Sequence, residues 1–240
     1  KLISDRNFLV RKKIILALDV DFKSAIKLAN QLKDHIYGIK IGSLFNQIGI
    51  EGLKEFDQFG LKIFVDQKYS DLPSTTARNI LNFKELKNVE FITIHSLSSK
   101  EMMKEAIKAA ESINKKIKIM AVLIPTSSTQ ETLTEIGIEN NLEEQIKKLA
   151  KLSHECGVHG IISPGKNYKM IRDLLGPNSY IIVPGIRPDD QKGKDDQKNT
   201  ISYTEFNKMT EKDDKAFCVI GRPIYQSENP LESLKKIVNH

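Results

Sequence analysis

Cysteine is scarce in this chain, and the little there is carries no pattern. Cys156 and Cys218 have neither the spacing of a metal site nor the density of a disulfide scaffold. Cys156 falls in a helical pattern and Cys218 in an apolar strand, so both are expected to be buried, reduced thiols. Long hydrophobic runs are also missing: none approaches the ~20 residues that span a bilayer. The stretch Lys1–Lys13 is polar and charged and lacks the apolar segment of a secretory signal. These absences lead to the expectation of a soluble, cytoplasmic protein with no membrane partner. No His/Asp/Glu set has metal-ligand spacing, and His35, His154, His159 and His240 have no compelling partners, so no metal is expected. Ser127 and Ser128 lack a nucleophile motif, which argues against acyl transfer. No Gly-rich dinucleotide fingerprint follows the first apolar run, where Asp19-Val20-Asp21-Phe22 stands instead.

What is present is enough for a sizeable core: 240 residues, 40% of them hydrophobic. The net charge of +6 raises the question of nucleic acid. Only six basic residues are arginine, and the lysines are scattered through helical segments among glutamates. That distribution reads as a solvated surface with a local anion site, and no nucleic-acid partner is expected.

Eight short apolar runs recur along the chain: Ile14–Leu18, Tyr37–Ile41, Leu61–Val65, Phe91–Ile94, Ile117–Leu123, Gly160–Ile162, Tyr180–Val183 and Ala216–Ile220. Their nearly continuous apolar character is that of parallel strands buried on both faces. Helical patterns lie between most of them, over Ser24–Leu32, Gly49–Phe59, Thr76–Leu86, Lys100–Ile113, Leu142–Cys156 and Lys169–Leu175, and one more, Leu231–Val238, follows the last. Ser24 and Ser99 stand where N-caps are expected. Eight βα units in this length predict a single α/β domain over 1–240, a (β/α)8 TIM barrel with a polar N-terminal extension at about 1–12. The alternative is an open doubly wound sheet. The long polar segment Pro188–Asn199 is expected to be a mobile loop after the seventh strand.

In such barrels chemistry sits at the C-terminal ends of the strands. Read in order, those ends carry Asp19, Lys40, Asp66 with Lys68 and Asp71, His95, Thr126, Ser163, Gly185 with Arg187, and Gly221 with Arg222. The most informative stretch is Asp66-Gln67-Lys68-Tyr69-Ser70-Asp71-Leu72-Pro73, directly after the apolar run ending at Val65. On an extended backbone Asp66 and Lys68 share a face. Lys40, alone in an otherwise uncharged strand, is either a lysine snorkelling at a strand end or part of a Lys40–Asp66–Lys68–Asp71 relay. The strand-end position and the Pro73 brake favour the relay, in which opposite neighbours keep all four groups ionised. Pro184-Gly185-Ile186-Arg187-Pro188 and Gly221-Arg222-Pro223 offer backbone N–H groups and arginines after strands seven and eight, where many barrels hold phosphate. His95 reads as a hydrogen-bonded structural residue in preference to an acid or base.

From Ala17-Leu18-Asp19 to Gly221-Arg222 the chain resembles the orotidine 5′-phosphate decarboxylase family, above all in the motif D-x-K-x-x-D-[IL]-P at Asp66–Pro73. Lys40-Ile41-Gly42, Thr126-Ser127, Pro184–Pro188, Asp196-Gln197 and Gly221-Arg222 support it. The resemblance implies conversion of orotidine 5′-monophosphate to UMP and CO2 in de novo pyrimidine biosynthesis, by a homodimer with no metal or organic cofactor. It implies that Asp19 and Lys40 hold ribose hydroxyls, that Asp66 faces the substrate carboxylate, and that Lys68 protonates C6. It further implies that Thr126 bonds the pyrimidine, that Arg187, Gln197 and Arg222, with Gly221, hold phosphate, and that Asp71 and Thr75 reach the partner's site. Gln67 departs from the family's usual apolar residue, and where many members follow Asp-Gln with a basic residue and then Arg, Gln197 here precedes Lys198 and Asn199.

Two other readings stand beside it. A sister group, 3-hexulose-6-phosphate synthase and 3-keto-gulonate-6-phosphate decarboxylase, shares the barrel and a D-x-K-x-x-D motif but uses Mg²⁺, with Glu where this chain has Lys40. A non-catalytic nucleotide-phosphate sensor would keep the barrel and the anion site, with little reason to keep Asp66 facing a carboxylate.

Overall fold

Strand β1 (Ile14–Ala17) is buried along its whole length, as a strand with helices outside and packed side chains inside must be. The computed structural model describes residues 13–191 and 199–239; the expected extension at 1–12 and most of the polar loop at 188–199 lie outside them. Beyond β1 come β2 (Gly38–Ile41), β3 (Lys62–Tyr69), β4 (Val89–His95), β5 (Lys118–Val122), β6 (Gly160–Ile162) and β7 (Tyr180–Val183). Two short strands follow, β8 (Ile186–Arg187) and β9 (Ile201–Ser202), and then β10 (Ala216–Ile220). The order β1-β10-β7-β6-β5-β4-β3-β2 closes into a barrel, all pairs parallel, while β8 and β9 pair separately above it. Closure excludes the open sheet.

Ten helices accompany the strands among the described residues: α1 (Phe22–Leu32), α2 (Leu44–Lys54), α3 (Pro73–Leu81), α4 (Lys100–Ile113), α5 (Gln130–Glu135), α6 (Leu142–Glu155), α7 (Tyr168–Leu175), α8 (Tyr203–Met209), α9 (Arg222–Tyr225) and α10 (Pro230–Asn239). Ser99 caps α4 by accepting the Met102 N–H, as expected. At α1 the cap is Asp21, whose carboxylate accepts the Ser24 N–H at 3.0 Å, so Ser24 sits inside the helix. Helix α2 starts before Gly49, which lies within it as a kink at φ 59°; only a glycine takes that conformation without strain. The short helices α5, α8 and α9 were not anticipated, although Ser202 and Glu205 form a capping box legible as S-x-x-E at α8.

Period-two alternation along the strands sorts the core into two layers. Ile14, Leu16, Ile39, Ile41, Ile63, Val65, Ile92 and Ile94 face the helices. Ile15, Ala17, Phe64, Phe91, Met120, Ile182, Phe217 and Val219 fill the barrel. At its N-terminal end Tyr37, Phe91, Tyr180 and Phe217 close the interior, with ring centroids of Phe217 4.8 Å from Tyr37 and 5.4 Å from Phe91. Both cysteines are buried and free, and burial pushes the Cys218 thiol up.

Outside the barrel, α7 is tied to the approach of β10. Arg172 reaches Asp213 Oδ2 through Nε at 3.0 Å and Nη2 at 2.8 Å, and Tyr168 donates to the same oxygen. Arg172 Nη1 also donates to the carbonyls of Gly176 at 2.8 Å and Ser179 at 2.6 Å.

Candidate active site

The alternation that buries Phe64 inside the barrel carries Asp66 to the same side two residues later, and Lys40 takes the corresponding place above Gly38 on β2. Charge therefore begins where the apolar filling ends. Lys40 Nζ lies 3.3 Å from Asp66 Oδ2, and Lys68 Nζ lies 2.9 Å from the same oxygen. Asp66 Oδ1 accepts the Thr93 hydroxyl at 2.8 Å. The Asp66 side chain is 10% exposed, against 50% for Lys68. Burial alone would push its carboxyl up, but Lys40 and then Lys68, with hydrogen bonds from Lys68 and Thr93, outweigh that and hold it below its ordinary 3.8.

Lys68 reaches Asp66 by a route that differs from the expected one. Strand β3 continues to Tyr69, past Val65, and its register with β4 shifts between Val65 and Tyr69. Within this bulge Lys68 has φ 49°, a left-handed conformation that costs a non-glycine residue about 1 kcal/mol or more. Its N–H donates to Thr93 Oγ1 at 2.9 Å. The two side chains meet across a bulge, not along a flat strand.

The mouth is a cleft of about 330 Å³, within the range of small-ligand sites. Ala17, Phe64, Val122, Ile162, Ile182 and Val219 form an apolar floor, and Asp19, Lys40, Asp66, Lys68, Thr126, Arg187, Gly221 and Arg222 stand around it. Arg187, on β8, is buried and donates to the Ile186 carbonyl at 3.0 Å. Gly185 precedes it at φ 76°. A Cβ on Gly221 would stand 3.2 Å from the Tyr225 ring and 3.3 Å from Ala17, so glycine keeps the backbone close at this corner. Asn199 Nδ2 donates to the Thr126 carbonyl at 2.5 Å, linking the end of the polar loop to the β5 corner.

Two expected residues, Asp71 and Thr75, stand outside the cleft. Gln197 lies outside the described residues. Asp71 is exposed, accepts the Leu72 N–H at 2.6 Å and makes no ion pair among the described residues, so the array within one chain is Lys40–Asp66–Lys68. Thr75 Oγ1 accepts from Arg78 at 3.1 Å, away from the cleft. His95 Nδ1 accepts the Leu97 N–H at 3.1 Å. Burial, then the Lys68 charge, push its imidazole below the ordinary 6.5. Thr93 and Tyr225 were missed in the sequence. Thr93 was reachable, because it shares the inward face of β4 with Phe91. Among the described residues no three His, Cys, Asp or Glu side chains gather as metal ligands, and no helix is long and apolar enough to cross a membrane.

A closed parallel barrel with a charge array around the largely buried Asp66 and two arginine corners at its C-terminal mouth defines the class as a (β/α)8-barrel enzyme. Within that class, the chain belongs to the orotidine 5′-phosphate decarboxylase / HUMPS family, whose model matches residues 12–237. It is 40% identical over 232 residues to the orotidine 5′-phosphate decarboxylase of Buchnera aphidicola, covering 94% of each chain. It is 36% identical over 233 residues to that of Pelobacter propionicus, covering 95% of each. The crystal structure of the Lactobacillus acidophilus orotidine 5′-phosphate decarboxylase superposes with a TM-score of 0.77 at 27% identity, over 95% of this chain and 97% of that one. The Methanocaldococcus jannaschii orotidine 5′-monophosphate decarboxylase, complexed with inhibitor BMP, gives 0.74 at 25%, with the same coverage.

Proposed function

We propose that this protein is an orotidine 5′-phosphate decarboxylase, converting orotidine 5′-monophosphate to UMP and CO2 in pyrimidine biosynthesis. The observation that carries the reading is the buried Asp66 carboxylate held between Lys40 and Lys68 on an apolar floor, in a chain whose relatives bear that name. The C6–carboxylate bond breaks and CO2 leaves. The electron pair left on C6 takes a proton from Lys68 Nζ, and the neutral amine regains one from solvent. A fixed cation beside the developing carbanion lowers the barrier with little reorganisation. Asp66 faces the substrate carboxylate and is less comfortable beside it than beside the neutral CO2 that departs. Asp19 and Lys40 hold the ribose hydroxyls, and Thr126 bonds the pyrimidine. Arg187, Gln197, Gly221 and Arg222 hold the phosphate, whose binding energy is remote from the reacting carbon and available for closure over the site.

The working unit in this reading is a homodimer, with Asp71 and Thr75 entering the partner's site, and the protein acts in the cytoplasm without metal or organic cofactor. Lys40 sets it apart from the Mg²⁺-using sister enzymes, because an ammonium 3.3 Å from Asp66 would repel a divalent cation there. The deciding experiment follows the loss of orotate absorbance on incubation with orotidine 5′-monophosphate. Turnover that survives EDTA is expected. Binding of UMP without turnover would point to a sensor, and strict Mg²⁺ dependence to the sister chemistry.

A further inference from the structure

Gln67 lies between Asp66 and Lys68 and has no part in the chemistry just described. Its side-chain Nε2 donates to the Gly42 carbonyl at 2.7 Å, an oxygen that also accepts the Phe45 N–H at 3.0 Å as α2 begins. The backbone ladder between β2 and β3 stops one step earlier, at Ile41 and Val65. Gln67 thus extends by side chain a junction that the backbone has left. On the opposite flank of the bulge, Thr93 accepts the Lys68 N–H and donates to Asp66. The strained Lys68 backbone is braced from β4 by Thr93 and from β2 by Gln67. Gly42 also belongs to the turn behind the other charges: a Cβ placed on it would stand 3.8 Å from both Lys40 Nζ and Asp19 Oδ1. A left-handed lysine persists only where its surroundings over-determine it, and a directional bond on each side supplies that.

We propose that Gln67 is a positioning residue for the charge array: its hydrogen bond to the Gly42 carbonyl clamps β2 to β3 and holds Lys68 in the conformation that places Nζ on Asp66. An apolar residue at this position fills space without fixing direction. The catalytic half of the inference rests on the decarboxylase reading above, whereas the clamp itself does not, and the two are tested separately.

The test is amide hydrogen exchange in the whole protein, with Gln67→Leu and Gln67→Glu compared with the wild type. The Glu variant keeps the shape, but its carboxylate accepts and cannot donate while ionised. Losing one neutral hydrogen bond should speed exchange at the Lys68 N–H by about five- to tenfold in both variants. The Ile63 N–H, bonded to the Asn88 carbonyl lower in the same strand, should be unaffected. In the Glu variant, exchange relative to wild type at the same pH should recover as acid protonates the side chain and restores a donor. With orotidine 5′-monophosphate, kcat should fall by a similar factor of about five to ten while UMP affinity is retained. Unchanged Lys68 exchange overturns the clamp whatever the turnover. Equal acceleration at Lys68 and Ile63 overturns it in favour of a general loss of stability. Accelerated Lys68 exchange with wild-type kcat overturns the catalytic consequence. A wild type that fails to decarboxylate defeats the decarboxylase reading and leaves the exchange test of the clamp in force.

Discussion

A single oxygen, Asp66 Oδ2, is shared by two ammonium groups at 3.3 and 2.9 Å, and the first two predictions follow from that sharing. Lys68→Ala removes the proposed proton donor and leaves Lys40 to neutralise Asp66. Turnover is expected to vanish while UMP binding stays measurable by calorimetry; retained turnover would refute the donor role. Asp66→Asn leaves Lys40 and Lys68 facing each other without a counter-charge and is expected to lower stability at pH 7 by about 2 kcal/mol. Because the folded carboxyl is held below its unfolded value, its stabilisation is present above about pH 4 and is lost as pH falls through the folded value. Urea titrations across that range should show the variant and the wild type converging on the acid side. A gap that persists unchanged would contradict the assigned cause.

At the scale of elements, the Arg172–Asp213–Tyr168 group binds α7 to the approach of β10, with Tyr168 buried and the Arg172 and Asp213 side chains about 15% exposed. Arg172→Ala leaves Asp213 short of its cation and two carbonyls short of a donor. It should cost about 2–4 kcal/mol, read as a lower denaturation midpoint, with the kinetics of the distant mouth preserved. The elements were legible in the sequence to unequal degrees. The strand cores could be read because their nearly continuous apolar runs answer to burial on both faces, which tolerates few polar interruptions. The β3 bulge was hidden because Lys68 carries no glycine to advertise a left-handed backbone. Helix α2 was placed too late, since Gly49 reads as a boundary and acts as a kink. Of the site, Lys40 and Asp66 could be placed because pleating dictates their side, whereas Lys68 reaches the mouth through the bulge. The Gln67 bond depends on how neighbouring strands align, which no single segment encodes.

For the whole molecule, Asp71 and Thr75 stand outside the cleft of their own chain. If they complete the site of a second copy, two inactive homodimers can repair each other. Lys68→Ala protein mixed in equal amounts with Asp71→Ala protein, and allowed to exchange subunits, should recover about a quarter of wild-type activity. Half of the dimers would be hybrids, each with one intact site. No recovery after exchange verified by mass spectrometry would place Asp71 in its own chain's chemistry or in none.

The floor of the cleft is also the last layer of the barrel's filling: Ala17, Phe64 and Val219 belong to both. In the decarboxylase reading a pyrimidine ring would pack on this layer, so UMP binding is expected to raise stability. UMP at a hundredfold over its dissociation constant adds about 2.7 kcal/mol, comparable to a well-packed core residue. A melting curve taken across UMP concentrations would report the filling of the barrel directly.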